Sequence, residues 1–297
     1  MNDQEASLEE MKPSSLATNG QALPVGTVPL VGIGASAGGL EAFEAFFTQM
    51  SPVSGMAFVV IQHLAPDYES ILATLIQRYT EMPVQQVKND MQIEPNNVYV
   101  IPPNAMLVVF NGKLQLLQPT EGTKIRLPID YFFRSLANEA HNRAIGIILS
   151  GTASDGTLGL KAIKEAGGMI MVQDPTSTVY DGMPRSAIAT GLVDYVLPVV
   201  AMPEQLLSYQ KLAFGAKINS VPVTAHMNPT AQSLQKILQM IRAQTGHDFS
   251  QYKDSTLQRR IERLMAVNRI EIIDDYERFL QNNSIGVEAL FRDLLIG

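Results

Sequence analysis

The sequence has no cysteine and no tryptophan. The missing thiols exclude disulfides, thiolate zinc sites and cysteine nucleophiles. Charge is sparse: Asp, Glu, Lys and Arg make up 17% of the 297 residues, with a balance of −7. A negative balance argues against general binding to nucleic acid. Histidine is scarcer still. The four, at positions 63, 141, 226 and 247, have no HExxH or comparable spacing, so no metal site is expected. No apolar run approaches the ~18 residues of a membrane helix, and the N-terminus lacks the basic and apolar regions of a signal peptide. Membrane insertion is not expected. Apolar residues, by contrast, are plentiful at 46%, enough to core one large or two modest domains.

Residues 1 to about 27 mix Glu, Ser, Asn, Gln, Pro and Gly without periodicity and read as a disordered tail. From Val28 onward strands and helices alternate. Strands are predicted at Pro29–Ile33, Met56–Ile61, Val98–Ile101, Ala144–Leu149, Met169–Gln173 and near Asp194–Leu197. Helices are predicted at Leu40–Met50, Ser70–Tyr79, Ile129–Ala140, Thr157–Ala166, around Arg185–Ala189 and from Pro203. Asn111-Gly112 joins the runs Met106–Phe110 and Lys113–Leu117, a strong hairpin signal. This pattern predicts an α/β fold over residues 28–212: a doubly wound, mostly parallel sheet decorated by an antiparallel hairpin. Residues 213–230 read as a linker. Beyond it the period becomes helical, at Leu234–Thr245, Thr256–Asn268, Asp274–Asn283 and Val287–Leu294. Residues 231–297 are therefore expected to form a small all-α unit. The chain stops at Gly297 directly after an apolar run, so a fragment of something longer is expected.

One stretch concentrates the chemistry. Val31-Gly-Ile-Gly-Ala-Ser-Ala-Gly-Gly39 joins the first strand to the first helix through a turn with Ser36 at its apex. Gly34-Ala-Ser-Ala-Gly38 fits G-x-S-x-G, the elbow that presents a nucleophilic hydroxyl. Gly32-x-Gly34-x-x-Ala37 also fits a loose dinucleotide fingerprint, and any α/β protein needs small residues at such a turn. In a parallel sheet, ligands and chemistry sit at the carboxyl ends of strands. There the second strand brings His63, and the Ala144–Leu149 strand leads into Ser150-Gly-Thr-Ala-Ser-Asp-Gly156. Serine, histidine and Asp155 supply nucleophile, general base and orienting carboxylate. A dinucleotide site wants an acidic residue where His63 stands, so the cofactor reading falls behind. His141 competes as the base, and Asp174 and Asp181 compete as the carboxylate. Asp155 can equally cap the helix at Thr157.

Four motifs resemble a known family. Val31–Gly39, Gln62-His-Leu-Ala-Pro66, Leu149-Ser-Gly-Thr-Ala-Ser-Asp-Gly156 and Tyr180-Asp-Gly-Met-Pro-Arg185 resemble, in order, the catalytic domain of the chemotaxis protein-glutamate methylesterase CheB. The resemblance implies a cytoplasmic serine esterase without cofactor. It would act on methylated chemoreceptors, with Ser36, His63 and Asp155 as its triad and deamidation of receptor glutamine as a second activity. Backbone N–H groups near Ala37 and Thr152 are the expected oxyanion donors. The family commonly has Thr where Ala37 stands and Met where Thr152 stands; backbone donors survive both changes. The family's enzyme carries an N-terminal receiver domain, whereas the stretch before Val28 reads as a disordered tail, so control by aspartyl phosphorylation inside this chain is not expected. Further on, Asp248–Met265 resembles the N-terminal helical domain of the opposing methyltransferase, CheR. Arg259 and Arg263 fall opposite the apolar face of their helix, which implies either a solvated basic face or docking on acidic receptor helices. A methyltransferase core is absent from the sequence, and no S-adenosylmethionine site is expected. The alternative reading is a degenerate esterase domain that serves as a docking module.

Overall fold

The computed structural model describes residues 28–62, 71–117, 127–218 and 231–296. The expected tail, His63 and most of the expected linker lie outside them. The strands are β1 (Leu30–Ala35), β2 (Ala57–Gln62), β3 (Val84–Gln86), β4 (Met91–Gln92), β5 (Val98–Val100), β6 (Met106–Phe110), β7 (Lys113–Leu117), β8 (Ala144–Ile148), β9 (Met169–Gln173) and β10 (Tyr195–Leu197). The helices are α1 (Gly39–Gln49), α2 (Leu72–Ile76), α3 (Pro128–Ala140), α4 (Thr157–Glu165), α5 (Gly182–Ile188), α6 (Met202–Ile218), α7 (Ala231–Thr245), α8 (Asp254–Val267), α9 (Ile273–Gln281) and α10 (Ser284–Leu295).

Seven strands form one sheet in the order β10-β9-β8-β1-β2-β5-β3, and every neighbouring pair is parallel. The hairpin forms a separate antiparallel sheet with β4. Asn111 and Gly112 both take positive φ (51° and 72°), the geometry a tight two-residue turn requires. Helices cover both faces of the large sheet. Phe43, Phe46 and Phe47 of α1 join Met202, Leu206 and Tyr209 of α6 on one face; Phe132, Phe133 and Leu136 of α3 join Leu160 and Ile163 of α4 on the other. The α/β fold, doubly wound as expected, is thus observed.

The β1 sequence follows from this sandwich. Alternate residues Val31, Ile33 and Ala35 point into the α1 layer. The residues between them must be glycine because α3 lies directly on the strand. A Cβ at Gly34 would come within 2.5 Å of Ile129, and one at Gly32 within 2.8 Å of Phe133. Two glycines of the loose dinucleotide fingerprint are therefore strand residues that admit a helix, not turn residues that admit a phosphate.

Two details depart from expectation. Strands β3 and β4 are too short, and too polar at Gln85, Gln86 and Gln92, to show a period. Helix α6 runs on through Gly215 to Ile218, so the first residues of the expected 213–230 linker are helical. Glycine costs a helix about 1 kcal/mol, and the burial of Phe214 against Tyr209 offsets it.

Helices α7 to α10 form a second core around Ile237, Ile241, Ile261, Tyr276 and Leu290. Its α8 also packs on the first unit: Ala266 joins the α1-side core, and the Tyr195 hydroxyl donates to the Val267 carbonyl. Buried charges line this junction. Asp194 accepts from Lys164 Nζ at 2.7 Å and from Arg263 Nη1 at 2.9 Å, while Asp293 pairs with Arg263 and sits 3.4 Å from Lys164 Nζ. Arg260 donates to the carbonyls of Lys164 and Glu165 at the end of α4, where the helix dipole favours a cation. Burial pushes the Asp194 carboxyl up, but Arg263 and Lys164 outweigh it and hold the group below its ordinary value. This corrects the expected basic face. Arg259 is exposed, whereas the Arg263 side chain is 4% exposed, because the face of α8 opposite its own core is covered by the other unit.

Candidate active site

Strands β1 and β8 are neighbours whose following helices lie on opposite faces, α1 on one and α4 on the other. Their carboxyl ends therefore diverge and leave a crevice, the place where parallel α/β sheets bind ligands. Ser36 is the first residue beyond β1. Its N–H donates to the Ser150 carbonyl (2.9 Å), and its carbonyl accepts from Gly39 N–H (3.0 Å) and Gln62 Nε2 (3.4 Å). Gly38 then turns the chain at φ 73° to start α1. A side chain there is doubly unfavourable, since a Cβ would lie 2.5 Å from Ser150 Oγ. On the β8 side, Gly151 presses against the serine: a Cβ on it would approach Ser36 Cβ to 3.0 Å. Its N–H donates to the Tyr180 carbonyl and its carbonyl accepts from Met183 N–H. The backbone of Ser36 and of Gly151 is thus fully engaged. By contrast, the N–H groups of Ala37 and Thr152 have no acceptor among the described residues. Ala37 is half-buried and Thr152 exposed.

Asp155 follows in the same loop and is buried. Its two oxygens accept from the backbone N–H groups of Ile129 (3.1 Å) and Asp130 (3.0 Å). The cap it provides belongs to α3, not to the helix at Thr157 that the sequence suggested. Gly156, at φ 92°, starts α4 without a side chain of its own to cap it, and Asp130 Oδ1 accepts the Gly159 N–H at 2.6 Å. Burial pushes the Asp155 carboxyl up, and the two N–H groups pull it back. A carboxylate has about four lone-pair positions, so each oxygen keeps one for a further donor. The rival carboxylates are committed to local turns. Asp174 accepts from the N–H and hydroxyl of Thr176, which hold its carboxyl below the ordinary value; Asp181 pairs with Arg185. His141 ends α3 just before β8, at the edge of the sheet opposite Ser36. His63 follows Gln62 of β2 in the chain and lies outside the described residues.

Comparison with known proteins decides the family. Residues 31–206, well over half the chain, match the CheB methylesterase family. The chain belongs to the CheB methylesterase family. Residues 232–295 match the all-alpha domain of CheR methyltransferase. The chain is 33% identical over 193 residues to a protein-glutamate methylesterase/protein-glutamine glutaminase of Photorhabdus laumondii, covering 64% of this chain and 54% of that protein. An uncharacterized 104.1 kDa protein of Rhodobacter capsulatus is 34% identical over 244 residues, 76% of this chain but 25% of its own length. The chain thus spans a quarter to about half of these two relatives. Among solved structures, the CheB methylesterase catalytic domain of Thermotoga maritima is similar, at 30% identity and a TM-score of 0.56. The match covers 61% of this chain and 97% of that one.

A cleft of ≈ 680 Å³ opens beside the serine turn of the CheB-type unit, lined in part by Gly38, Glu41, Thr178, Val179, Tyr180 and Val200. Val179 is 89% and Val200 60% exposed at its rim. Reading the sequence alone missed the polar residues behind the turn. Buried Ser150 and Gln173 are joined by Ser150 N–H to Gln173 Oε1 at 2.8 Å, and Thr178 lies 2.7 Å from Ser150 Oγ. One signal was available: each of Ser150 and Gln173 is a polar residue at the end of an otherwise apolar strand run. Among the described residues no helix is long and apolar enough to cross a membrane, and no cluster of His, Cys, Asp and Glu is placed to hold a metal.

Proposed function

We propose that the CheB-type unit is a serine esterase that hydrolyses glutamate γ-methyl esters on a chemoreceptor-like protein, with Ser36, His63 and Asp155 as its catalytic residues. One observation carries this reading. The turn ties down every backbone polar group of Ser36 yet leaves the N–H groups of Ala37 and Thr152 without acceptors among the described residues. Fixed nucleophile and free donors are what an acyl-transfer site needs.

In the reaction, Ser36 Oγ attacks the γ-carbonyl carbon while His63 takes its proton, and Asp155 steadies the imidazolium. The carbonyl oxygen becomes an oxyanion, held by the N–H groups of Ala37 and Thr152. The tetrahedral adduct then expels the methoxy group, which takes the proton from His63 and leaves as methanol. Water, giving a proton to His63, attacks the Ser36 ester; the acyl–oxygen bond breaks, Ser36 Oγ takes the proton from His63, and the glutamate carboxylate is freed. A glutamine amide enters the same sequence with ammonia as leaving group. No metal or cofactor is required at any step. The exposed Arg259 is the residue left to meet an acidic receptor helix, and the cytoplasm is the compartment this reading expects.

The test is methanol release from a γ-methylated receptor-like protein. The native chain should release it, and Ser36→Ala should stop it with the unfolding transition unmoved. Equal release by both chains would overturn the assignment.

A further inference from the structure

The mechanism leaves a buried hydroxyl unused. Ser150 is 1% exposed and directly follows Leu149 at the end of the β8 run. Its carbonyl accepts the Ser36 N–H at 2.9 Å. Its hydroxyl lies 2.8 Å from the Ala37 carbonyl and 2.7 Å from Thr178 Oγ1. The directions of these bonds follow by elimination. A carbonyl accepts only, and of the two that the hydroxyl reaches Ala37 (2.8 Å) is nearer than Tyr180 (3.4 Å), so the single Ser150 proton goes to Ala37 and Thr178 donates to Ser150 Oγ. Thr178 Oγ1 in turn accepts the Tyr180 N–H at 3.2 Å. The Ser150 N–H is spent on Gln173 Oε1, and the Gln173 amide nitrogen reaches Ser177.

Ser150 therefore grips the serine turn at two points, the N–H of Ser36 and the carbonyl of Ala37. Between them lie the Ser36 side chain and the Ala37 N–H, the two groups assigned to attack and to oxyanion binding. Fixing both flanking peptides fixes the relation of those groups. A backbone carbonyl could be satisfied by water at this edge of the sheet; a buried hydroxyl held between the Ala37 carbonyl and Thr178 Oγ1 does not wander. Thr178 also lines the cleft beside the turn, so the outer end of the clamp lies where a substrate would rest.

We infer that Ser150 is a positioning residue for the esterase reaction, holding the Ser36–Ala37 turn in its reactive geometry through its hydroxyl, with Thr178 as its brace on the cleft side. This rests on the esterase reading above. A misplacement of the order of 1 Å at a reacting group costs about a hundredfold in rate, so losing this grip acts on the chemical step and spares binding.

The experiment measures kcat and KM for methanol release, together with the unfolding midpoint, for the native chain, Ser150→Ala, Ser150→Thr, Thr178→Val and Ser36→Ala. Ser150→Ala should lower kcat about tenfold or more with KM within about twofold. Ser150→Thr, which keeps the hydroxyl, should recover most of kcat. Thr178→Val, at a partly exposed position, should lower kcat in the same direction by less and keeps the test alive if Ser150→Ala fails to fold. An active native chain with undiminished kcat in Ser150→Ala and Thr178→Val overturns the positioning role alone. So does a loss confined to KM. A native chain no faster than Ser36→Ala overturns the esterase reading and this inference together.

Discussion

The two edges of the parallel sheet treat polar groups in opposite ways. At the carboxyl edge, around Ser36, the polar groups are backbone amides and hydroxyls with no charged side chain in the turn itself, and two N–H groups are unspent among the described residues. At the amino edge, Lys164, Asp194, Arg260, Arg263 and Asp293 are buried, and each charge is met by an opposite charge or by carbonyls at a helix end. Unspent donors suit a site that must receive charge during a reaction. Paired charges suit a junction that must stay shut, since breaking one buried partner leaves the others uncompensated. The helical unit sits at the second edge and leaves the first open, so docking and chemistry can be perturbed separately.

That separation can be broken in order of effect. Ser36→Ala should reduce methanol release by at least about a thousandfold, because a removed nucleophile leaves only residual catalysis, and should leave the unfolding midpoint unchanged. Arg263→Ala should do the reverse. It strips Asp293 and Asp194 of a buried partner and should cost about 3–5 kcal/mol in chemical denaturation, with kcat per folded molecule within about twofold of native. If Arg263→Ala instead abolishes kcat in folded protein, the two edges are coupled and the comparison fails.

Acid should probe the amino edge next. The Asp194 carboxyl is held below its ordinary value, so between the folded and unfolded values the folded chain binds fewer protons. Its contribution to stability is complete above the unfolded value of about 3.9 and is lost as pH falls through the folded value. Asp194→Asn should therefore be less stable than the native chain at pH 7, and its stability should change less between pH 5 and acid. Parallel pH profiles of the two chains would contradict the pairing. Gly34→Ala is a smaller test of the carboxyl edge. Its Cβ would meet Ile129 at 2.5 Å, so overpacking should cost about 1–3 kcal/mol without creating or removing any affinity for a dinucleotide. Smallest of all, Arg259→Ala should move stability by less than about 0.5 kcal/mol, and any change should be confined to KM for a protein substrate.

Much of the carboxyl edge was legible in the sequence, for a local reason. The period change from Pro29–Ile33 to Leu40–Met50 locates the turn, and small residues around Ser36 and Gly151 mark where two strand ends approach closely. The roles of Gly32 and Gly34 were less accessible, since the pattern G-x-G is the same whether a phosphate or a helix needs the space. Asp155 was placed in the right loop, but its partners, the amides of Ile129 and Asp130, come from a helix that starts far earlier in the chain. The amino edge was hidden for a related reason. Arg263 lies opposite the apolar face of α8, and a charged face reads as solvated unless another unit is known to cover it. Nothing in the period of one helix reports what packs on its far side.

The most direct test of the central claim is peptide mapping by mass spectrometry after exposure to a serine-directed phosphonate, with the unfolded chain as control. A single stoichiometric adduct is expected on the peptide containing Ser36, absent from the unfolded chain and from Ser36→Ala. No adduct on the folded native chain, or one carried by a different serine such as Ser150 or Ser154, would contradict it.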